Sequence, residues 1–179
     1  LLTGPSLSWP IAWSQVAREL GRLDPNVLDA GAGAAVERLR TRAAREMRAG
    51  DFRVEAMLSA SADPTPLRGF ESIPREEGEA RLSADWVGQR FAWKLAATVV
   101  ADPDDDQTVR PDGSYVAMSL GNWMVSAGYL DRWWGPGWQG SLILGNSARP
   151  VPALALDRAV SDPFESKWLR WIGPWRLST

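Results

Sequence analysis

A run of aromatic and hydrogen-bonding residues between positions 131 and 150 carries the clearest binding chemistry in this sequence. Three tryptophans surround a Gly135-Pro136-Gly137 break, with arginine and asparagine close by. The candidate binding residues are Arg132, Trp133, Trp134, Trp138, Asn146 and Arg149. Indole faces stack on apolar C–H surfaces, while arginine and asparagine hydrogen-bond carboxylates and hydroxyls. Such a set could bind an acidic sugar chain.

The same cluster also has a purely structural interpretation. Proline fixes φ and glycine adopts left-handed conformations, so Gly135-Pro136-Gly137 predicts a tight turn. An ion pair from Asp131 to Arg132 or Arg149 would hold that turn. Because tryptophan is mostly a packing residue, residue types and spacing alone favour the anchored turn over the ligand site. Both interpretations stay open at this point.

The order and spacing of several rare residues resemble the signature of a known family. The runs are Asp131–Leu144 and Asn146–Pro150, preceded by Ser114-Tyr115 and Gly121-Asn122-Trp123 and followed by Leu169–Trp175. Together they resemble the signature of the capsule-assembly Wzi family over about residues 80 to 176. Gly145 stands where a Ser or Asn is expected.

The resemblance implies a fold, a location and a function. The fold is an outer-membrane β-barrel with a periplasmic helical part, in a Gram-negative bacterium. The function is lectin-like and non-catalytic, anchoring capsular or exopolysaccharide without a cofactor or metal. The expected partners are that polysaccharide, outer-membrane lipid and the polysaccharide export machinery, and the six candidate residues would form the glycan site.

Composition excludes several other function classes. With 20 basic and 22 acidic residues the net charge is −2, which is not the electrostatic footprint of a nucleic-acid-binding protein. The absence of Cys excludes disulfides and thiolate nucleophiles, and the absence of His excludes Ser-His-Asp triads and His-bearing metal sites. The start at Leu1 without Met or signal peptide is typical of a chain trimmed at its ends.

The first 50 residues predict a helical region, and residues 51–179 predict part of a barrel. Ser8 is placed to cap a helix that ends at Gly21, and Asp24-Pro25-Asn26 predicts a turn. A second helix is expected from about Gly33 to Ala49. Arginines crowd the flanks of this helix, which favours a solvated face, although the basic side could meet an acidic glycan or lipid headgroups.

From Asp51 the hydrophobic period changes to two, which predicts antiparallel strands. In the first strand, Phe52 to Ala60, the apolar side chains share one face. A first hairpin, turning at Gly88-Gln89, would set Trp86 across from Phe91 and Ala84 across from Trp93. A second hairpin, turning at Gly121-Asn122, would set Leu120 across from Trp123 and Met118 across from Val125. Further strands are expected near Ser141–Gly145, Ala153–Arg158 and Lys167–Gly173, about eight in all.

Three features favour a transmembrane barrel over a soluble sandwich. Long connections alternate with short ones, aromatic residues sit at strand ends, and the second face of the strands mixes both charge signs with small polar residues. With residues 1–50 in the periplasm, the bend from Trp133 to Gly140 lies near the outer side. An acidic loop at Asp102, Asp104, Asp105 and Asp106 lacks the ligand spacing of a calcium site, which favours a solvated loop.

Two other functions remain as alternatives to glycan binding. A glycosidase needs a carboxylate pair, for which the candidates are Asp131, Asp157, Asp162 and Glu165, although nothing in their spacing specifies such a pair. A porin-like channel would use the same barrel with an open lumen.

Overall fold

The chain folds as an antiparallel sheet preceded by two short helices. The structure is a computed structural model that describes residues 7–24, 27–65, 67–70, 74–103 and 105–179. The helices are α1 (Trp13–Gly21) and α2 (Ala30–Glu46). The strands are β1 (Ser8–Trp9), β2 (Phe52–Ala60), β3 (Gly78–Val87), β4 (Phe91–Ala101), β5 (Val109–Arg110), β6 (Tyr115–Leu120), β7 (Trp123–Gly128), β8 (Trp133–Trp134) and β9 (Ala153–Arg158), followed by a 3₁₀ turn at Arg170–Ile172.

One large sheet contains seven of the strands, in the order β2-β3-β4-β6-β7-β9, with β5 also paired to β4. All neighbours in it are antiparallel. Within the described ranges, β2 and β9 are not paired with each other, so the sheet is open. The predicted mainly-β antiparallel fold with a helical N-terminal part is confirmed, and it appears here as an unclosed sheet.

One face of the sheet is apolar and bare. A single registered row crosses it from edge to edge, through Phe52, Trp86, Trp93, Val116, Ala127 and Leu154. The side chains on this face are exposed: Leu58 is 85% exposed, Leu95 62% and Leu154 75%. The alternation read from the first strand is confirmed, and its apolar members point away from the rest of the chain.

The opposite face is polar, and α2 is joined to it. The guanidinium of Arg53 lies 2.9 Å from Glu46 of α2 and 2.6 Å from Asp85 of β3. Burial opposes ionisation of Glu46, but Arg53 and the neighbouring Arg45 and Arg42 outweigh it, so the pKa of Glu46 is lowered. Buried polar side chains outnumber buried apolar ones among the described residues. The chain therefore covers its polar face and leaves its apolar face open.

The connections at the two ends of the sheet differ in length. The connections that follow β2, β4 and β7 lie at the long-loop end, while residues 88–90 and 121–122 form tight turns at the short-turn end. The end of α2 also lies at the short-turn end, because Gly50 N donates to Val87 O at 2.7 Å. The predicted alternation of long and short connections holds up to β9. The connection that follows β9, residues 159–177, is long although it starts at the short-turn end.

The helix boundaries differ from those expected. Ser8 does not cap a helix, because it pairs with Trp134 in a small sheet, and α1 begins only at Trp13 without a side-chain cap. α2 begins at Ala30 rather than Gly33, since Asp29 accepts a hydrogen bond from Ala32 N at 2.8 Å. Pro25 and Asn26 of the expected turn lie outside the described residues. Neither helix in the described ranges is long and apolar enough to cross a membrane.

One hairpin register is confirmed and the other is wrong. Leu120 pairs with Trp123 as expected, across a turn in which Gly121 has a φ of +62°. In the first hairpin Trp86 pairs with Trp93, not Phe91. The Trp86 ring lies against Gly88, where a Cβ would collide with it, so Gly88 allows a close contact and its N–H closes the turn on Phe91 O at 2.7 Å.

Two of the three further strands expected are absent. Residues Ala153–Arg158 form β9 as predicted. Ser141–Gly145 is instead a bend that folds back on Trp134, with Leu142 N donating to Trp134 O at 2.8 Å. Lys167–Gly173 forms turns because Ser166 O accepts hydrogen bonds from the backbone N–H groups of Leu169 and Arg170.

The register of the first hairpin can be tested by cross-linking, because the chain has no native Cys. We expect Ala84→Cys with Leu95→Cys to form a disulfide readily on mild oxidation, since these residues are directly opposite. The matched pair Ala84→Cys with Trp93→Cys, which is diagonal, should cross-link poorly. Mobility on non-reducing gels measures both, and preferential cross-linking of the second pair would contradict the register described.

Candidate functional site

The Trp-rich stretch is held in place by the N-terminal segment. β8 pairs with β1, so that Trp133 lies opposite Trp9 and Trp134 opposite Ser8. Gly135 N donates to Leu7 O at 2.8 Å and extends this pairing into the Gly-Pro-Gly turn. Leu142 N and Leu144 O bond the backbone of Trp134 at 2.8 and 2.9 Å, which folds the following residues back on the strand. The bend is therefore built by residues more than a hundred positions apart.

Phe70 is the centre of an aromatic cluster that the sequence analysis did not include. Its ring lies 5.0 Å from Trp9, 5.8 Å from Trp133 and 4.8 Å from Trp138, all with edge-to-face geometry. Trp133 is only 3% exposed and donates its Nε1–H to Gly137 O at 2.9 Å, whereas Trp138 is 63% exposed. We call Trp9, Phe70, Trp133 and Trp138 the aromatic platform. It combines three packed rings with one that faces solvent.

A groove of about 380 Å³ runs along this platform. Its wall is formed by Leu7, Trp9, Phe70, Trp133 and residues 135–138. Phe70 is held at the groove by a hydrogen bond from its N–H to Trp138 O at 2.8 Å, and Gly69 leaves room for that carbonyl, since a Cβ there would lie 2.8 Å from it. A half-open aromatic groove of this kind suits the apolar face of a sugar ring.

Asn146 binds the loop that carries Phe70. Its Nδ2 donates to Phe70 O at 3.2 Å and to Gly69 O at 3.4 Å. The next residue contributes as well, because Ser147 Oγ accepts from Arg68 N at 3.2 Å. The Oδ1 atom of Asn146 and the Nε1 atom of Trp134 are buried without a hydrogen-bond partner in the described parts of the chain. Asn146 thus fixes the position of Phe70.

Arg149 joins two segments at the long-loop end. Its Nε and Nη2 contact both oxygens of Asp112 at 3.0 and 2.9 Å, and its Nη1 contacts Asp105 and Gln107, each at 2.7 Å. Hydrogen bonds from Arg110 and Arg149 hold the pKa of Asp105 well below its usual range. The bonds to Asp112 and Asp105 raise the pKa of Arg149. Four acceptors therefore already surround this guanidinium.

The acidic loop is thus contacted by two arginines, Arg110 and Arg149. Asp105 also contacts Arg110 at 2.8 Å, and Asp102 and Asp106 have positive φ values of 53° and 58°. Asp104 lies outside the described residues. In the part of the chain that the structure covers, no group of three or more acidic side chains is placed to hold a metal ion.

Arg132 and Asp131 contact other partners. Arg132 is half-buried, and its Nη1 donates to Thr179 O at 2.6 Å. Asp131 lies 3.4 Å from Arg75, not beside Arg132 or Arg149. The structure therefore brings Trp133, Trp138 and Asn146 together around Phe70, whereas Arg132 and Arg149 are bound to separate segments.

A second feature missed in the sequence is a polar cavity of about 160 Å³ at the long-loop end of the polar face. Its wall contains Arg68, Arg75, Arg81 and Arg110 together with Glu79, Asp112 and Asp131. Burial and the nearby Arg75 lower the pKa of Arg68. Guanidinium groups around a small polar space suit water or a carboxylate. Its residues come from stretches that are far apart in the sequence, so no local motif predicts the cavity.

The carboxylates considered for glycosidase chemistry have partners of their own. Asp157 Oδ1 accepts a hydrogen bond from Ser178 Oγ, Asp162 pairs with Arg18, and Glu165 is exposed. With Asp131 beside Arg75, these groups occupy separate surroundings. The geometry described does not single out a pair facing one bond.

Comparison with known proteins identifies the family. The family model described as capsule assembly protein Wzi matches residues 49–179. The chain belongs to the Wzi family. This confirms the resemblance carried by the Trp-rich run and by its flanking motifs.

Two relatives of the Wzi chain extend the comparison. A Klebsiella pneumoniae protein, described as an uncharacterised 55.8 kDa protein in the cps region, is 29% identical over 171 residues, covering 94% of this chain and 33% of that protein. A solved structure of Wzi from Escherichia coli, described as an outer-membrane, carbohydrate-binding β-barrel involved in group 1 capsule assembly, matches with a TM-score of 0.85 and 27% identity. That match covers 98% of this chain and 39% of the other, so the chain spans well under half of each relative.

The contacts of Arg149 generate a test of the long-loop end. We expect Arg149→Gln to speed hydrogen exchange of residues 105–112 roughly tenfold, because a charge-assisted bidentate contact is lost at a partly exposed site. Exchange followed by mass spectrometry measures this, with Arg90→Gln at the short-turn end as the matched control. Equal protection in both variants would show that Arg149 does not hold the loop.

The same contacts predict a pH dependence. Because the folded pKa of Asp105 is lowered, its contribution to stability is present above the usual aspartate value of 3.8 and is lost as the pH falls below it. Protection of the loop, corrected for intrinsic exchange, should therefore stay constant from about pH 7 to about pH 5. A loss of protection within that interval would contradict the lowered pKa.

Proposed function

We propose that this chain is part of an outer-membrane β-barrel that binds capsular or exopolysaccharide and anchors it at the cell surface without covalent chemistry. The observation that carries the proposal is the exposed Trp138, seated on a packed aromatic platform in a member of the Wzi family. The description of the Escherichia coli relative as a carbohydrate-binding barrel supports it.

The membrane location is supported by the distribution of apolar surface. The bare face of the sheet carries Leu, Val, Ala and Phe across all its main strands, as a lipid-facing surface requires. In this arrangement the short-turn end and the helices face the periplasm, where we also expect the polysaccharide export machinery. The long loops and the aromatic platform then face outward. At that end Glu46 of α2 contacts Arg53 on the polar face, which supports a barrel covered at its periplasmic end rather than an open channel.

We propose distinct roles for the six candidate residues. Trp138 stacks on a sugar ring, and the half-buried Trp134 and Arg132 border the same bend, where Arg132 can reach a sugar carboxylate. Trp133, Asn146 and Arg149 position the surface: Trp133 packs against Phe70, Asn146 holds Phe70, and Arg149 holds the acidic loop. Each contact is weak, but repeats of the polymer can bind several barrels at once, which multiplies the overall affinity.

Anchoring is tested by deleting the gene in the native host. We expect capsule still to be made but released into the medium, because synthesis does not depend on a non-catalytic anchor. Polysaccharide in the cell pellet and the culture supernatant is the measurement. A deletion strain that makes no polymer, or retains all of it on the cell, would contradict the anchoring role.

The binding surface is tested by substitution of its exposed ring. We expect Trp138→Ala to weaken binding of a capsular oligosaccharide about two- to tenfold, the size of a single aromatic contact. Leu142→Ala is the matched control, because Leu142 is also exposed on the same bend but is aliphatic. Titration calorimetry on the purified complete protein measures both. An equal loss of affinity in the two variants, or no loss in Trp138→Ala, would show that the aromatic platform is not part of the binding site.

A further inference from the structure

The connection after β9 displays two bare tryptophans at the short-turn end. Trp168 is 75% exposed and Trp171 82% exposed. Their turn is nevertheless well ordered by hydrogen bonds: Ser166 O accepts from Leu169 N at 3.1 Å and from Arg170 N at 3.0 Å, and Leu169 O accepts from Ile172 N at 3.1 Å. The 3₁₀ turn covers Arg170–Ile172, and Trp168 lies just before it, three residues from Trp171.

The base of this connection is attached to the apolar face. Trp123 and Arg158 are registered partners, and Trp123 is also opposite Leu120, which belongs to that face. The Arg158 guanidinium lies 3.8 Å from the centre of the Trp175 ring, and Trp175 lies 6.2 Å from Trp123. Trp175 also stacks on Phe164 at 4.8 Å with an interplanar angle of 16°. The turn therefore starts at the rim where the apolar face ends.

The charges beside the tryptophans are mainly basic. Lys167 and Arg170 alternate with Trp168 and Trp171, and both are exposed. The acidic residues nearby are Glu165, which is exposed, and Asp162, which pairs with Arg18. An indole has an apolar body with a polar edge, and it concentrates where hydrocarbon meets headgroups. Lysine and arginine beside it attract the phosphates of anionic lipids. Bare aromatic rings interleaved with basic groups at such a rim are the pattern of an interfacial contact.

We propose that the turn from Lys167 to Ile172 is a membrane anchor that binds anionic phospholipid at the short-turn end of the barrel. Trp168 and Trp171 enter the interface, and Lys167 and Arg170 contact headgroup phosphates. Continuity with the bare apolar face identifies lipid as the occupant, since the base of the turn packs on the end of that face. The proposal rests on the membrane location proposed above, but it concerns a separate surface from the glycan site.

Spin labels on the complete protein, in a cysteine-free background and reconstituted in phosphatidylethanolamine–phosphatidylglycerol vesicles, test the anchor. A nitroxide at Ile172→Cys should collide more often with oxygen than with a water-soluble nickel chelate, as in lipid. A label at Leu58→Cys on the apolar face is the lipid control, and one at Gln139→Cys on the Trp-rich bend is the water control.

Two variants separate the contributions of the rings and the charges. Trp168→Ala with Trp171→Ala should move the Ile172 label into water and leave the Leu58 label in lipid. Lys167→Gln with Arg170→Gln should lower the ratio of membrane-inserted to water-exposed turns, as the Ile172 label reports it, by about fivefold for each charge removed. This effect should occur only in vesicles that contain the anionic lipid.

The outcomes distinguish this inference from the proposed function. A Leu58 label in water would overturn the membrane location itself. A Leu58 label in lipid with an Ile172 label in water would overturn the anchor alone. An Ile172 label that is mobile in vesicles but becomes immobilised on addition of capsular polysaccharide would assign the turn to the glycan and likewise overturn the lipid contact.

Discussion

The reversed distribution of polar and apolar side chains across the sheet is the constraint on which the rest of this structure depends. A water-soluble sheet packs its apolar face and exposes its polar one, whereas here α2 is joined to the polar face through Glu46 and Arg53, and buried polar side chains outnumber buried apolar ones among the described residues. Large apolar side chains such as Leu58 and Leu95 remain bare. Because exposed apolar area of this extent is unfavourable in water, the fold requires an apolar surrounding. The lipid environment proposed above would meet that requirement.

Arginine supplies much of the internal cohesion that an apolar core would otherwise provide. Arg53 joins α2 to the sheet, Arg110 joins Glu76 to Asp105, and Arg149 joins the late loop to Asp112. A planar guanidinium with five donors can bridge several acceptors at once, which lysine cannot do in the same geometry. These bridges set the position of the long loops. The aromatic platform is thereby held on a defined surface, although it is built from loop residues.

Local sequence was a good guide where a backbone preference decided the structure. Gly121 takes a positive φ next to a regular alternation, so the turn and register of its hairpin could be predicted. The register at Gly88 could not, because the ring of Trp86 folds over that glycine and moves the turn toward Phe91. Serine is a residue type that often caps helices, but Ser8 pairs with Trp134 in a strand instead. At Ser8 a tertiary contact outweighed a local propensity, whereas at Gly88 a side-chain contact two residues away, which the alternation does not encode, shifted the turn.

Alternation of side chains along the strands was enough to assign the two faces, and the Trp-rich motif was enough to place the chain in its family, because both depend on neighbours in sequence. Which partners the candidate residues meet was decided only in three dimensions. Phe70 lies in a polar loop far from Trp133 in sequence, yet it joins Trp9 and Trp138 in one cluster. Arg149 binds Asp105 and Asp112, acceptors dozens of residues away. Periodicity specifies the direction in which a side chain points, but not the loop that folds over it, because loop positions depend on long-range contacts without a sequence period.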